Sequence, residues 1–269
     1  ETDYLLKLLD NGVFYYQVGD STDHSSFSEP VYQSNNLPIS EGGDPRNVYS
    51  ITTGGSNISG STSAALALMS EHYRPYNNAY ADSCLNKAIA FYQFGQSQLE
   101  AISATTNNGT VFYTAENWAD DMALAALQLF KITGLTTYLN DAETYYQDAN
   151  FTVPDWQPLV ESNVNQLVNF EFYKTTGDIT YLTALSDHLD EMYYMQEPCG
   201  YMHFADWGSL VYAANAALVA SLYHSQTNDV TAYTFAKAQI DFILGSHGDL
   251  GPDAPANHSF LIGYDELSG

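Results

Sequence analysis

Basic residues are scarce in this sequence. Its 269 residues include only 7 Lys and Arg against 32 Asp and Glu, for a formal net charge of -25. A surface this acidic repels phosphate backbones and anionic lipid surfaces, so the composition excludes nucleic acid and membranes as partners. The same composition favours a neutral ligand, mildly acidic surroundings or bound divalent cations.

Cysteines and long apolar runs are also scarce. Cys84 and Cys199 are far apart, which leaves a single long-loop disulfide and two buried thiols as open alternatives. Neither has a Cys or His neighbour at zinc-site spacing. No apolar run is long enough to cross a bilayer. The first residues, 1–3, lack the basic start of a signal peptide, so we expect any such peptide to have been removed.

Four Asn-x-Ser/Thr sequons indicate an extracellular protein. Each lies in a stretch rich in Gly, Asn or Pro, a composition typical of loops. The four asparagines are Asn57, Asn108, Asn150 and Asn257. Together with the scarcity of lysine, they predict a secreted glycoprotein.

Helical periodicity dominates the chain, whose hydrophobic content of 45% is enough for one large domain with a buried core. The predicted helices cover 2–10, 60–74, 79–103, 117–133, 136–148, 158–175, 179–195, 207–225 and 230–245. Val13 to Val18 is the one clear β segment. The Ser-, Gly-, Asn- and Pro-rich region 19–60 reads as a long loop, and loops of this length usually carry function.

A repeat within the helical region predicts paired helices. The segment 130–139 recurs at 173–182 and, more loosely, at 223–233. Each copy ends one helix, turns at Gly or Asn, and begins the next helix with what looks like a Thr cap. The pattern predicts antiparallel helical hairpins in a solenoid or in a closed double ring of helices.

The segment 207–217 combines a Trp, a Tyr and an Asn with an otherwise small and apolar helix. Trp207 and Tyr212 offer flat faces on which sugar rings can stack. The alternative is a close-packed core helix that happens to begin with a Trp.

Several segments, taken in order, resemble glycoside hydrolase family 9, the inverting cellulases. They are 3–7, 16–20 with Asp23 and His24, Arg46, 55–57 with 63–67, 118–121, 207–215, and 242–246 with 259–264. The resemblance implies an all-α fold, an (α/α)6 barrel in the form of an incomplete toroid of antiparallel helical hairpins, with a short β segment near 13–18. It also implies a single glycosidase-like domain over 1–269, truncated at both ends relative to the family.

The catalytic motifs of the family are missing from this sequence. The family's Asp-Ala-Gly-Asp motif, which holds the general base, has no counterpart, and neither has the Asn-Glu motif with the general acid. Inverting cleavage of a glycosidic bond needs both carboxyl groups. The catalytic residues are therefore unknown, and the chain is either a fragment of an enzyme or a natural short homologue that has lost catalysis.

The resemblance also implies a set of sugar-contacting side chains. They are His24, Phe27, Tyr113, Trp156, Trp207 and Tyr212. His24 can also be a solvated loop residue, and Trp156, flanked by two prolines, can also close the entry to a helix. Val211 replaces an Arg of the family and Ala115 replaces a stacking Trp, so two sugar contacts are lost.

Asp120 and Asp121 occupy a position that binds calcium in some family members. The further ligand positions are Glu116 and Gln157 here. Calcium needs several oxygen ligands, whereas two carboxylates in the first turn of a helix are favourable without any metal. Calcium is thus a possible ligand, and no cofactor is required.

The functional expectation is a secreted hydrolase of β-1,4-glucan, a polysaccharide of the cellulose type. In it, this segment would supply mainly the sugar-binding cleft. The alternative is an inactive extracellular structural or carbohydrate-binding glycoprotein on the same fold. The sequence is silent on the oligomeric state.

Overall fold

Helices make up most of the structure, a computed structural model that describes residues 2–19, 47–105, 111–113, 115, 117–149, 158–160, 162–205, 208–246 and 259–260. The described helices are α1 (Thr2–Leu5), α2 (Ser56–Tyr73), α3 (Asn78–Gln96), α4 (Ala119–Thr133), α5 (Thr136–Asp148), α6 (Asn165–Thr176), α7 (Ile179–Tyr194), α8 (Ser209–Thr227) and α9 (Val230–Ile243). The described strands are β1 (Leu9–Asp10), β2 (Val13–Gly19), β3 (Asn47–Ile51), β4 (Ala104–Thr105) and β5 (Val111–Tyr113). Among these helices, none has the length and apolarity needed to span a membrane.

The chain forms two compact units. Unit 1 is Glu1–Ala149, with α1 to α5 and all five strands, and unit 2 is Asn150–Gly269, with α6 to α9. In unit 1, β1, β2 and β3 form an antiparallel sheet, and β4 pairs with β5. The single domain expected over 1–269 stays a prediction.

Small residues allow three helices of unit 1 to approach closely. A Cβ atom added at Gly60 of α2 would lie 2.8 Å from the carbonyl carbon of Asp121 and 2.9 Å from the nitrogen of Met122 in α4. A Cβ atom added at Gly95 of α3 would lie 2.8 Å from the sulfur of Met122. Because the second turn of α2 touches the first turn of α4, these two helices begin at the same end of the unit.

The hairpin turns repeat one hydrogen-bond pattern. In each copy a Thr hydroxyl donates to the carbonyl four residues earlier, at 2.7, 2.8 and 2.9 Å, and accepts the N–H two residues later, at 3.3, 3.1 and 3.1 Å. The three residues are Thr133, Thr176 and Thr227. The repeat predicted from the sequence is therefore confirmed as a structural repeat of helix ends.

The Thr caps predicted at the starts of the second helices are wrong. The residues at those cap positions are Leu135, Asp178 and Asp229. The carboxylate of Asp178 accepts the N–H of Thr180, and that of Asp229 accepts the N–H of Ala232. The threonines lie before the turn rather than after it, because each bonds back to the helix that it ends.

Several predicted helix boundaries are also wrong. The helix expected over 2–10 ends at Leu5, and the chain turns at Asn11 and Gly12, whose φ values of 49° and 78° suit the tight turn between β1 and β2. In addition, α2 begins four residues earlier than expected, α3 ends at Gln96, and α6 begins only at Asn165. The β segment predicted at 13–18 is confirmed by β2.

Both cysteines are free thiols, so neither alternative from the sequence holds. Cys84 is buried in α3, whereas Cys199 is exposed. The separation of the two cysteines along the chain does not indicate which thiol is buried and which is exposed.

The approach of α2 to α4 generates a stability prediction. Gly60→Ala improves helix propensity but places a methyl group against the backbone of α4, so we expect it to cost about 1–3 kcal/mol of unfolding free energy. Urea unfolding of the intact protein measures this cost. Ala65→Gly at an exposed position of α2 is the matched control and costs about 1 kcal/mol through propensity alone. A Gly60→Ala variant as stable as the wild type would contradict the close contact.

Candidate functional site

In unit 2, α6 and α8 also begin at the same end. The side-chain nitrogen of Asn215, in the second turn of α8, donates to the carbonyl oxygen of Leu159 at 2.7 Å. Leu159 precedes α6 by only a few residues. The candidate site of unit 2 is therefore built where these two helices start, just as α2 and α4 start together in unit 1.

Tyr212 lies in the first turn of α8 with its ring half-buried. It packs edge-to-face against Phe204, with ring centroids 4.8 Å apart and an angle of 63° between the planes. Gly208 precedes the helix at a φ of 68°, and a Cβ atom there would lie 4.0 Å from the Tyr212 ring. Packing thus fixes the ring while part of it stays accessible, as a sugar-stacking residue requires.

Val211, next to Tyr212, is 60% exposed. The resemblance places an Arg of the family at this position. A Val side chain cannot donate hydrogen bonds, so this exposed position offers no charged contact to a ligand.

Most of the predicted sugar contacts cannot be placed. His24, Phe27, Trp156 and Trp207 lie outside the described residues. Tyr113 is in β5, where it pairs with Ala104, and its ring is outside the described part as well. Of the six, only Tyr212 is therefore located in full.

The expectation that Asn57 is a glycosylated loop residue is corrected by the structure. Asn57 lies in the first turn of α2 and is only 8% exposed. Its side-chain nitrogen donates to the carbonyl of Ile102 at 2.9 Å, and its side-chain oxygen accepts the N–H of the same residue at 3.0 Å. An attached sugar has no room there. The other three sequon asparagines, Asn108, Asn150 and Asn257, lie outside the described residues.

Glycopeptide mapping of the protein, expressed in a host that attaches N-linked glycans, tests this correction. We expect no glycan on Asn57, because its amide is buried and already hydrogen-bonded. A peptide that carries a glycan at Asn57 would contradict the described position of this side chain.

Asp120 and Asp121 form a buried pair of carboxyl groups in the first turn of α4, where they are 1% and 2% exposed. Asp121 accepts a hydrogen bond from the hydroxyl of Ser61 in α2. Burial, with the charge of Asp120 adding to it, raises the pKa of Asp121 well above its ordinary value, and the Ser61 hydrogen bond opposes this shift. Asp121 therefore links α4 to α2 through a carboxyl group that releases its proton at a higher pH than an ordinary aspartate does.

The described residues show only part of the calcium site that the resemblance implies. They contain no cluster of three or more His, Cys, Asp or Glu side chains suited to a metal ion. Glu116 and Gln157, the other positions implied by the resemblance, lie outside the described part. Calcium binding stays a prediction.

The raised pKa of Asp121 predicts a pH-dependent stability. The unfolded chain releases this proton near pH 3.9, below the folded pKa, so the free energy of unfolding falls as pH rises between the two values. Asp121→Asn removes the titration and still accepts the Ser61 hydrogen bond. With calcium chelated, we expect urea unfolding of this variant to depend less on pH between 4 and 8 than that of the wild type.

The exposed Asp187 is the control for this prediction. Asp187→Asn makes the same substitution at the surface, and its slope of stability against pH is the reference for that of Asp121→Asn. Parallel slopes for the wild type and Asp121→Asn would show that Asp121 does not titrate abnormally.

A family model described as glycosyl hydrolase family 9 matches residues 1–268. The chain belongs to this family. It is 25% identical to Endoglucanase 18 of Oryza sativa subsp. japonica and 26% identical to Endoglucanase A of Bacillus pumilus. These matches cover 98% and 99% of this chain, but only 55% and 41% of the relatives. This family 9 chain thus spans about half the length of the relatives it matches.

Solved structures of cellulases match the fold. The cellulase Cel9M of C. cellulolyticum is 32% identical, with a TM-score of 0.79 over 98% of this chain and 58% of its own. Endoglucanase CelQ from Clostridium thermocellum, complexed with cellotriose, is 26% identical, with a TM-score of 0.75 over 95% of this chain and 42% of its own. The family 9 cellulases are (α/α)6 barrels, which confirms the fold class predicted for this chain.

One pocket of this family 9 chain has no counterpart among the residues predicted from the sequence. It lies in unit 2, has a volume of about 600 Å³, and includes Tyr201, Phe242 and Phe260 in its wall. These three aromatic residues are far apart in the sequence, and no local motif joins them. In the sequence, only the aromatic character of these three residues could have pointed to the pocket.

Proposed function

We propose that the protein to which this chain belongs hydrolyses β-1,4-glucan chains, with inversion at the cleaved bond, and that it is secreted. This segment supplies mainly the wall of the sugar-binding cleft. The observation that carries the proposal is the match of nearly the whole chain to family 9 cellulases, with Tyr212 held at the start of α8 where the resemblance requires it.

The ligands of the related structures support a neutral glucan as substrate. Cel9M was solved in complex with cellobiose, and CelQ in complex with cellotriose and cellotetraose. The net charge of -25 agrees with an uncharged polysaccharide and disfavours anionic ones.

Chemistry decides what this segment can contribute. Hydrolysis of the glycosidic bond needs one carboxylic acid to protonate the leaving oxygen and one carboxylate to activate water. The motifs that carry these groups in the family are not in this sequence. We therefore propose that the rest of the polypeptide supplies both carboxyl groups. Tyr212 contributes binding, because a ring already fixed by Phe204 loses little conformational freedom when a sugar stacks on it.

Release of reducing sugar from carboxymethylcellulose by the full-length protein tests the proposed activity. We expect turnover, and nuclear magnetic resonance of the first product should show the inverted anomer. Turnover no higher than in buffer would refute hydrolysis and leave the inactive glycoprotein as the function. The exposed Val211, where the family has an Arg, favours this second candidate.

Tyr212 generates a prediction about substrate affinity. In the full-length protein, Tyr212→Ala should raise KM for a soluble glucan about tenfold, because the stacking surface is lost, whereas Tyr212→Phe should keep most of the affinity. Tyr194, at the end of α7, is 87% exposed, so Tyr194→Ala is the matched control. Steady-state kinetics measure all three variants. Equal KM values for Tyr212→Ala and the control would remove Tyr212 from the substrate site.

A further inference from the structure

The pocket of unit 2 is built around a column of four rings. Phe260 stacks on Phe242 with centroids 5.3 Å apart, Phe242 on Tyr201 at 4.0 Å, and Tyr201 on His203 at 6.3 Å. The angles between successive planes are 20°, 16° and 23°, so the rings are nearly parallel. The rings at the two ends of the column, Phe260 and His203, are exposed.

Hydrogen bonds fix the segment that forms one wall of the pocket. The nitrogen of Glu197 donates to the carbonyl of Tyr201 at 2.8 Å, and Gly200 adopts a φ of 88° in this turn. The buried side chain of Gln239 in α9 donates to the carbonyl of Gly200 at 2.8 Å and accepts the N–H of Met202 at 2.7 Å. The pocket wall is therefore held in place before any ligand arrives.

Polar groups accompany the aromatic wall. The carboxylate of Glu197 lies 3.9 Å from Nδ1 of His203, and both side chains are about half exposed. Ser209, at the first position of α8, adds a hydroxyl to the lining. An apolar wall with a few hydrogen-bonding groups beside it suits a ligand that has both apolar faces and hydroxyl groups.

Tyr212 is not among the residues that line the pocket. Leu210 lines the pocket, and the neighbouring Ala213 packs with Tyr201 and Phe242. At 100° per residue, Leu210 and Tyr212 point about 160° apart around the helix. Tyr212 packs instead against Phe204 and the cluster between α7, α8 and α9. Ser209, which also lines the pocket, lies only about 60° from Tyr212, so the pocket and the Tyr212 face share the first turn of α8.

We propose that this pocket is a second carbohydrate site, which binds a short segment of a neutral β-glucan apart from the Tyr212 face. The volume is within the usual range for small-ligand sites. Phe260, which is 36% exposed, lines the pocket for contact with a sugar ring, and Glu197 and Ser209 add polar groups that suit its hydroxyl groups. The carboxylate disfavours anionic ligands. The choice of glucan rests on the proposed function, whereas the existence of the pocket does not.

Cys199 provides a direct reporter of occupancy, because it is an exposed thiol in the pocket lining. The full-length protein is treated with iodoacetamide, and peptide mapping follows the alkylation rate of Cys199. We expect cellotriose to slow this rate at least fivefold. Phe260→Ala should abolish the protection, whereas Tyr212→Ala and the exposed-tyrosine control Tyr194→Ala should retain it. The buried Cys84 should stay unmodified, which shows that the protein remains folded.

Three results would overturn the proposal. The first is an unchanged alkylation rate at cellotriose concentrations that saturate turnover. The second is loss of protection in Tyr212→Ala, which would merge the two sites. The third is equal protection by maltotriose, which would show that the pocket does not select β-linked glucose.

Failure of the proposed function is measured separately. Protection of Cys199 without turnover of carboxymethylcellulose would support the second site and refute the hydrolase. Turnover of carboxymethylcellulose without protection of Cys199 would support the hydrolase and refute the second site.

Discussion

Close contact between helix backbones is the constraint on which the candidate site of unit 1 depends. Gly60 lets α2 approach α4 until their backbones touch, and Gly95 lets α3 reach Met122. This approach places the first turns of α2 and α4 side by side and encloses the carboxyl groups of Asp120 and Asp121. The buried pair is thus a consequence of helix packing, and the raised pKa of Asp121 follows from the same enclosure.

Unit 2 reaches a similar arrangement by different contacts. Asn215 ties the start of α8 to the segment before α6, and the repeated Thr turns reverse the chain between consecutive helices. As a result, one helix presents two different surfaces near its first turn. Tyr212 packs against Phe204, whereas Ser209 and Leu210 line the pocket with its column of rings. In the function that we propose, both surfaces serve a neutral polysaccharide.

Much of the fold was predictable because its signals are local. The hairpin repeat, most helices and the strand β2 follow from periodicity and from turn residues such as Gly134 and Gly177, whose φ values are positive. The predictions that were wrong concern segments whose local sequence is compatible with two different structures. The segment 2–10 contains apolar residues at helical spacing, but the Asn11-Gly12 turn draws its last two residues into a strand pair. Asn57 follows two glycines as a loop residue would, yet it begins a helix and is buried.

The sequence by itself determined the family and the helical class. Both depend on the order of short motifs and on the spacing of apolar residues, which are visible in the sequence without a structure. It also determined the acidic charge that restricts the partners. Only the tertiary structure decided that Asp121 is enclosed by α2, that Asn57 bonds to residue 102, and that the rings of residues 201, 242 and 260 stack. These are contacts between distant parts of the chain. Burial and protonation depend on such contacts, because a side chain's surroundings are set by the elements that pack against it.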